Sequence, residues 1–391
     1  MCEAVRTAVG RRGGRLAGWH PTDLLGAVLA GVLERAGVDP GHVDDVQAGC
    51  VTQAGEQAAN VARNAWLAAG LPETVPATTV DRQCGSSQQA LHNAAAAVAS
   101  GAQDVVIAAG VESMTRAPMG SAAGQADPFG ATLRARYPEG VAAQGLSAER
   151  IAARWGLTRA ACDALALASH RRAADATDRG DLAGEILPVT GIDRDGAPVV
   201  HATDEGIRRD TSASALAALP PAFRTDALAS AHPGLPWLVT AGNASQVSDG
   251  AAALLVTAPE VAQRLGLTPR WRIRATTVVG SDPVLMLTGP IPATRRLLER
   301  AGLALDDLDH IEINEAFAPV VLAWQTELGA DPERVNPLGG AIALGHPLGA
   351  SGARLATTLA HALERTGGRL GLQVMCEGGG MANATLLERL G

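Results

Sequence analysis

The sequence predicts an α/β fold made of two similar halves with a loop-rich segment inserted between them. Three observations carry this. The stretch LERAGVDPGHVDDVQAG (33–49) recurs as LERAGLALDDLDHIEIN (298–314), each a helix end closed by Gly37 or Gly302, a polar link and an alternating, strand-like run. Further on, in the same order, CGSSQQALHNAAAAVASGAQDVVIAAG (84–110) parallels ASGARLATTLAHALERTGGRLGLQVMCEGGG (350–380): a small-residue loop, a helix, a glycine-containing turn and an apolar strand. Between the copies, from about 116 to 240, the strand–helix alternation stops.

The elements follow in chain order. Residues 1–115 read as the first half. Residues 116–240 hold the Gly/Pro/Asp-rich APMGSAAGQADPFGA, the helical SAERIAARWGLTRAACDALALASHRRAADATDRG and the Pro-rich LPPAFRTDALASAHPGLPW, and read as an inserted loop domain. The run DGAAALLVTAPEVAQRLG (249–266) returns to strand plus helix, so 241–266 is expected to rejoin the first half. Residues 267–391 form the second half.

A chain of 391 residues exceeds what one hydrophobic core sustains, which agrees with more than one packed unit. Nearly half of it is apolar and its net charge is −8. An acidic balance without a basic stripe argues against nucleic acid as a partner. No apolar run reaches membrane-spanning length, and MCEAVRTAVGRRGGRL lacks the apolar core of a signal peptide, so the expected location is the cytoplasm. The five cysteines, Cys2, Cys50, Cys84, Cys162 and Cys376, are widely spaced and never in a CxxC pair, which excludes a disulfide framework and a zinc site. All 32 basic residues are arginine. Schiff-base chemistry, pyridoxal phosphate anchoring and a Walker-type phosphate lysine are thereby excluded.

Four stretches carry chemistry. In VDRQCGSSQQA, Cys84 precedes an Ala-rich helix. A thiol there is either a small packing residue or a nucleophile whose thiolate is favoured by unpaired N–H groups and the helix dipole. IEINEAFAP places Asn314 and Glu315 after a strand, where Asn314 could simply cap the turn. NPLGGAIALGHPLGASG (336–352) exposes His346 between Gly345 and Pro347; it could also cradle a phosphate, poorly without a lysine. VMCEGGGMANA sets Cys376 at a strand end before Gly378–Gly380, whose N–H groups could hold an oxyanion. Cys2, Cys50 and Cys162 read as core packing. His42, His170, His232 and His361 read as structural or surface residues, and His92, two turns along the Cys84 helix, stays open. The residues alone describe a thiol enzyme with a histidine partner.

VDRQCGSSQQA, TAGNASQVSDGAA, NEAFA, NPLGGAIALGHPLGASG and CEGGG stand in the order and spacing of the thiolase family, and with AVRTAVG near the start the resemblance runs the length of the chain. It implies duplicated βαβαβαββ halves forming a layered α-β-α-β-α sandwich with an inserted loop domain. It implies Cys84 as the acyl-accepting nucleophile and His346 as its base and later donor to the enolate oxygen. Asn314 would hold a water at that oxyanion, and Cys376 would be the acid–base thiol. The N–H groups of Cys84 and Gly378 would form a second oxyanion hole. Ser245 would contact the pantetheine arm of CoA, and Arg208 would lie near its adenine. Coenzyme A enters as substrate, with no prosthetic group. The partners expected are 3-oxoacyl-CoA and CoA, in a homodimer or homotetramer.

Some positions depart from the family pattern. Glu377 replaces an apolar residue; strand alternation turns it away from the Cys376 thiol, whereas facing it the charge would raise the thiol pKa. Ala382 replaces a glycine. The start before AVRT is short for the family, which reads as either a truncated start or a mis-called Met1. Ala143-Gln144-Gly145 stands where acetoacetyl-CoA-specific members carry His-Met, which favours a roomier acyl site and a degradative role in fatty-acid or steroid side-chain β-oxidation. The stretch from Cys50 to Gly85 is similar to actinobacterial thiolases that act on steroid side chains. Competing expectations are a biosynthetic acetoacetyl-CoA thiolase, a ketoacyl-synthase-type condensing enzyme, disfavoured by the missing lysine and by Cys376, and a non-catalytic acyl-CoA or lipid binder on the same scaffold.

Overall fold

The computed structural model describes residues 1–141 and 143–391. The first stretch supplies β1 (Glu3–Arg6), β2 (Gly10–Arg11), β3 (Asp45–Gly49), β4 (Ala77–Val80) and β5 (Val105–Ser113). The middle supplies β6 (Val189–Ile192) and β7 (Pro198–His201), an antiparallel pair. Then come β8 (Ser248–Thr257), β9 (Trp271–Gly280), β10 (His310–Ile313), β11 (Leu370–Glu377) and β12 (Met381–Arg389).

The two large sheets share one strand order. The first runs β1-β8-β5-β3, extended by β4; the second runs β9-β12-β11-β10. In both, the last two of these four strands are parallel and the others antiparallel to their neighbours. The repeated phrases fall on equivalent elements. Helix Pro21–Ala36 ends at Gly37 (φ 68) and leads to β3; helix Pro290–Ala301 ends at Gly302 (φ 64) and leads to β10. Glycine suits this left-handed position because it has no Cβ to clash.

Helices Ser86–Ala99 and Ser351–Thr366 lie together between the sheets, the first against β3, β5 and β12, the second against β8, β11 and β1. Helix Pro21–Ala36 covers the outer face of the first sheet and Pro290–Ala301 that of the second, which completes five layers, α-β-α-β-α. The central layer buries Leu91, Leu254, Leu359 and Leu387 from both halves in one cluster. The two central helices touch at their N-termini. A Cβ on Gly352 would sit 2.2 Å from the Gln88 nitrogen, and Ser87 Oγ accepts the Ala353 N–H at 2.8 Å. That contact brings the Cys84 turn and the His346 loop to one place.

The middle region is tied down by buried charge. Arg6 on β1 donates to both Asp204 oxygens (2.7 and 3.0 Å) and to Glu185 Oε1 (2.5 Å). Breaking such a buried pair on one side leaves an uncompensated charge. Helices Gln144–Arg154 and Arg159–Asp178 both pack on helix Ala318–Leu328 of the second half. None of the described helices is long and apolar enough to cross a membrane.

Candidate active site

The site forms where the two central helices begin. Cys84 lies in the turn between β4 and helix Ser86–Ala99, only 4% exposed. Gln83 before it takes a left-handed φ of 49°, unusual for a residue with a Cβ. The turn is tied by Gln83 N–H to Asp81 Oδ1 (2.7 Å) and Ser86 Oγ to the Gln83 carbonyl (2.5 Å). No side chain caps the helix that follows. The N–H groups of Gly378 and of Cys84 itself both face the Cys84 sulfur. Burial foremost, then the charge of Glu377, pushes this thiol up to about 12, against the pull of those two donors.

Cys376 ends β11 from the other half and is fully buried. Burial, then the neighbouring Cys84 and Glu377, raises its pKa, while the Asn314 side chain donates towards its sulfur. Asn314 follows β10, and its N–H pairs with the Val374 carbonyl of β11 at 3.1 Å. Its Nδ2 lies 3.3 Å from His346 Nε2, and its buried Oδ1 has no partner among the described residues. An unsatisfied buried amide oxygen is costly unless a water or ligand completes it. The two cysteines, His346 and Asn314 therefore share one buried centre built from both halves.

The histidine's tautomer follows from its neighbour. Ser351 Oγ donates to the Pro347 carbonyl (2.8 Å), so it accepts from His346 Nδ1–H (2.6 Å). Nε2 is left with its lone pair towards the centre. Burial, then the nearby Arg354, lowers the imidazole pKa to about 3, so it is neutral and able to take a proton. Replacing Ser351 by alanine removes this orientation. The expected loss is about ten- to a hundredfold in kcat with KM little changed, because a misoriented base costs the chemical step more than binding. Steady-state kinetics of Ser351→Ala check it.

Sequence reasoning assigned no role to Ser351, nor to Glu315. The Glu315 carboxylate accepts from Ser169 Oγ (2.7 Å), Asn336 Nδ2 (3.0 Å) and Ile342 N–H (3.1 Å). It thereby fixes the 336–346 loop against Asn314 and against helix Arg159–Asp178. Its position next to Asn314 in NEAFA was the available signal. His92 is structural: Nε2 meets Thr385 Oγ1 at 2.8 Å, and burial, then Arg82, lowers its pKa to about 3.

Glu377 does not simply turn away from the reactive groups. It leaves the Cys376 face of the strand, but its carboxyl packs on the Cys84 turn, where a Cβ on Gly85 would meet Glu377 Oε1 at 1.8 Å. It is fully buried and neither oxygen has a partner among the described residues. Burial, opposed by Arg82, raises its pKa to about 8. At neutral pH it is mostly protonated and spares the two thiols its charge. A folded pKa above the unfolded one makes the contribution to stability complete below pH 4.5 and progressively lost as pH rises to about 8. The cost at pH 7 is about 3 kcal/mol. Glu377→Gln is expected to flatten that loss and to remove an alkaline fall in kcat/KM centred near 8. Urea melts and rate profiles between pH 5 and 9.5 check both.

Of the other expected residues, Ser245 is half-buried beside the segment after Asn314, its N–H on the Ala316 carbonyl at 2.9 Å. Gly378 faces the centre; a Cβ there would lie 3.0 Å from Gln83 Oε1 and 3.3 Å from Gln144 Nε2. Gln144 therefore lies beside the Gly378 turn. Ala382 packs on Gly289 within the second-half core. Arg208 is exposed; its N–H donates to His170 Nδ1 (3.1 Å), and its guanidinium makes no ion pair among the described residues.

A five-layer duplicated fold with paired thiols and an imidazole at the centre defines a thiol-dependent acyl-transfer enzyme. The thiolase N-terminal domain matches residues 1–260 and the thiolase C-terminal domain residues 267–389, so the chain belongs to the thiolase family of acyltransferases. It is similar to the steroid 3-ketoacyl-CoA thiolase FadA6 of Mycobacterium tuberculosis, at 50% identity over all of this chain and 94% of that protein. It is 45% identical to a beta-ketoadipyl-CoA thiolase of Escherichia coli, over all of this chain and 99% of that one. The crystal structure of the Bacillus anthracis acetyl-CoA acetyltransferase superposes with a TM-score of 0.89 at 39% identity, covering all of this chain and 98% of that one.

Proposed function

We propose that this chain is a 3-ketoacyl-CoA thiolase working in the degradative direction. The observation that carries the reading is the meeting of Cys84 and Cys376, one from each half, beside His346 and Asn314. His346 Nε2 takes the Cys84 proton as the sulfur attacks the 3-oxo carbon. The tetrahedral oxyanion is held by the N–H groups of Cys84 and Gly378. The bond between C2 and C3 then breaks, and its electron pair passes into the thioester of the leaving acetyl-CoA. That enolate oxygen is held by His346, now carrying the proton on Nε2, and by a water on Asn314. Cys376 protonates C2. In the second half-reaction the Cys376 thiolate takes the proton of CoA, whose sulfur attacks acyl-Cys84. Cys84 leaves as thiolate and recovers its proton from His346. Two half-reactions through one covalent intermediate imply ping-pong kinetics.

In this reading Ser245 meets the pantetheine arm and Arg208 the adenine end of CoA. No prosthetic group takes part. The enzyme acts in the cytoplasm as a homodimer or homotetramer, on acyl groups larger than acetoacetyl, in fatty-acid or steroid side-chain β-oxidation. The test is loss of the Mg-enolate absorbance of 3-oxoacyl-CoAs on adding CoA, over a chain-length series. Turnover that rises with chain length is expected. Turnover confined to acetoacetyl-CoA would favour a biosynthetic acetoacetyl-CoA thiolase, and CoA binding without turnover at any length a binding protein.

A further inference from the structure

Beside the His346 loop lies a buried cluster of charges drawn from both halves and the middle region, with Arg354 at its centre. Arg354 stands on helix Ser351–Thr366, three residues after the Ser351 hydroxyl that holds His346 Nδ1, and residues three apart share a helix face. Glu312 reaches the same place from β10. Ile311 and Ile313 pack in the second-half core, so Glu312 and Asn314 take the opposite face, and Asn314 is the residue 3.3 Å from His346 Nε2. The helix lies against both β10 and β1. The charged groups facing Arg354 are Glu312, Arg6 of β1, and Glu185 and Asp204 of the middle region.

Those carboxylates are engaged elsewhere. Glu185 and Asp204 hold Arg6, and Glu312 Oε1 meets His310 Nε2 at 2.9 Å. Arg354 is 2% exposed and makes no ion pair among the described residues. Its Nη1 lies 3.5 Å from Thr358 Oγ1, whose proton goes to Glu185 Oε1 (2.9 Å), and its Nε has no partner among the described residues. An arginine keeps its proton inside a protein. A charge unmatched at contact acts on groups further out, and more strongly where water is excluded.

The titratable groups around His346 come from several elements. Cys84 and Cys376 face it across the centre, both pushed towards the protonated thiol, with Glu377 behind the Cys84 turn. Glu112 of β5 accepts the Gly349 N–H of the His346 loop (2.8 Å), and Glu315 accepts the Ile342 N–H at the loop's start (3.1 Å). Asp249, next to the Ser248 that accepts the His346 N–H, turns to Ser113 and Thr115. Arg354 is the charge that bears on the ring, and it disfavours the imidazolium.

We infer that Arg354 is a positioning residue for the reaction: its buried, unpaired guanidinium holds His346 in the neutral form that can take the Cys84 proton. The inference rests on the thiolase reading and adds to it the group that sets the protonation state of its base. The alternative is that Arg354 serves only packing and the charges of Glu312 and Glu185, and the test separates the two.

The His346 ring is followed by NMR in protein carrying isotope-labelled histidine, without substrate, its signal assigned by its loss in His346→Asn. Wild type is expected to keep the signal of a neutral imidazole from about pH 8 down to about pH 4.5, since its midpoint lies at about 3. Arg354→Met is expected to raise that midpoint by about two units, the usual effect of one charge at close range, and to bring an acid fall in kcat/KM at correspondingly higher pH. If Arg354→Met does not fold, Arg354→Met with Glu312→Gln removes the opposed charges together and is read in the same way. A midpoint unmoved in the folded variant would overturn the inference. So would rates lowered by one factor at every pH, which would leave Arg354 a packing residue. Both outcomes leave the thiolase reading standing, whereas absence of turnover by wild type would refute that reading and not the titration.

Discussion

Cys84→Ala is expected to lower turnover by at least about four orders of magnitude while leaving the fold and CoA binding intact. The basis is that in the proposed mechanism the acyl group passes through this sulfur in both half-reactions. Without it the 3-oxo carbon meets no internal nucleophile, and a single-step thiolysis by CoA must supply the attacking sulfur and the leaving enolate together. The side chain removed is small and packs in a small cluster with Met114, Leu348, Leu355 and Met375, so the loss of packing is modest. Isothermal binding of CoA by the variant, alongside its absent turnover, separates a chemical defect from a structural one. Turnover within tenfold of wild type would remove Cys84 from the reaction.

Cys376→Ala is expected to cost about a hundred- to ten-thousandfold in kcat, the usual range for a positioned acid–base group, with a different kinetic signature. Cys84 can still attack, but the enolate leaves unprotonated and the incoming CoA keeps its proton. Acylation and deacylation both slow, so the burst of first product disappears together with steady-state turnover. Stopped-flow measurements on the variant distinguish this from simple loss of binding, which would appear as a raised KM with normal kcat. The burial that raises the Cys376 pKa suits the proposed role: a thiol that holds its proton tightly is an effective acid only towards a stronger base, in this proposal a carbanion.

Much of this was legible in the residues. The repeat was visible because the helix end LERAG and its following strand are local patterns that the fold uses twice, and both copies lie on equivalent elements. Cys84, His346 and Cys376 stood out because they lie beside glycines that allow a close approach of backbone, whereas Asn314 was singled out by the family resemblance. The position of Glu377 was not legible. Strand alternation tells which face a side chain takes, but not that the Cys84 turn fills the opposite face. Ser351 was hidden as a small residue within GASG, since its meaning lies in a hydrogen bond to a ring five residues earlier. The charges around Arg354 come from segments far apart in sequence, so no local pattern announces them.

The central claim is an acyl group carried on Cys84. Wild-type enzyme is mixed with a 3-oxoacyl-CoA in the absence of free CoA, quenched in acid and measured as intact protein, then digested and mapped. A mass increase equal to the acyl group shortened by two carbons, confined to the peptide that contains Cys84 and discharged by added CoA, is the result expected. Acetyl-CoA released with no such adduct, or an acyl group found on Cys376 instead, would contradict it.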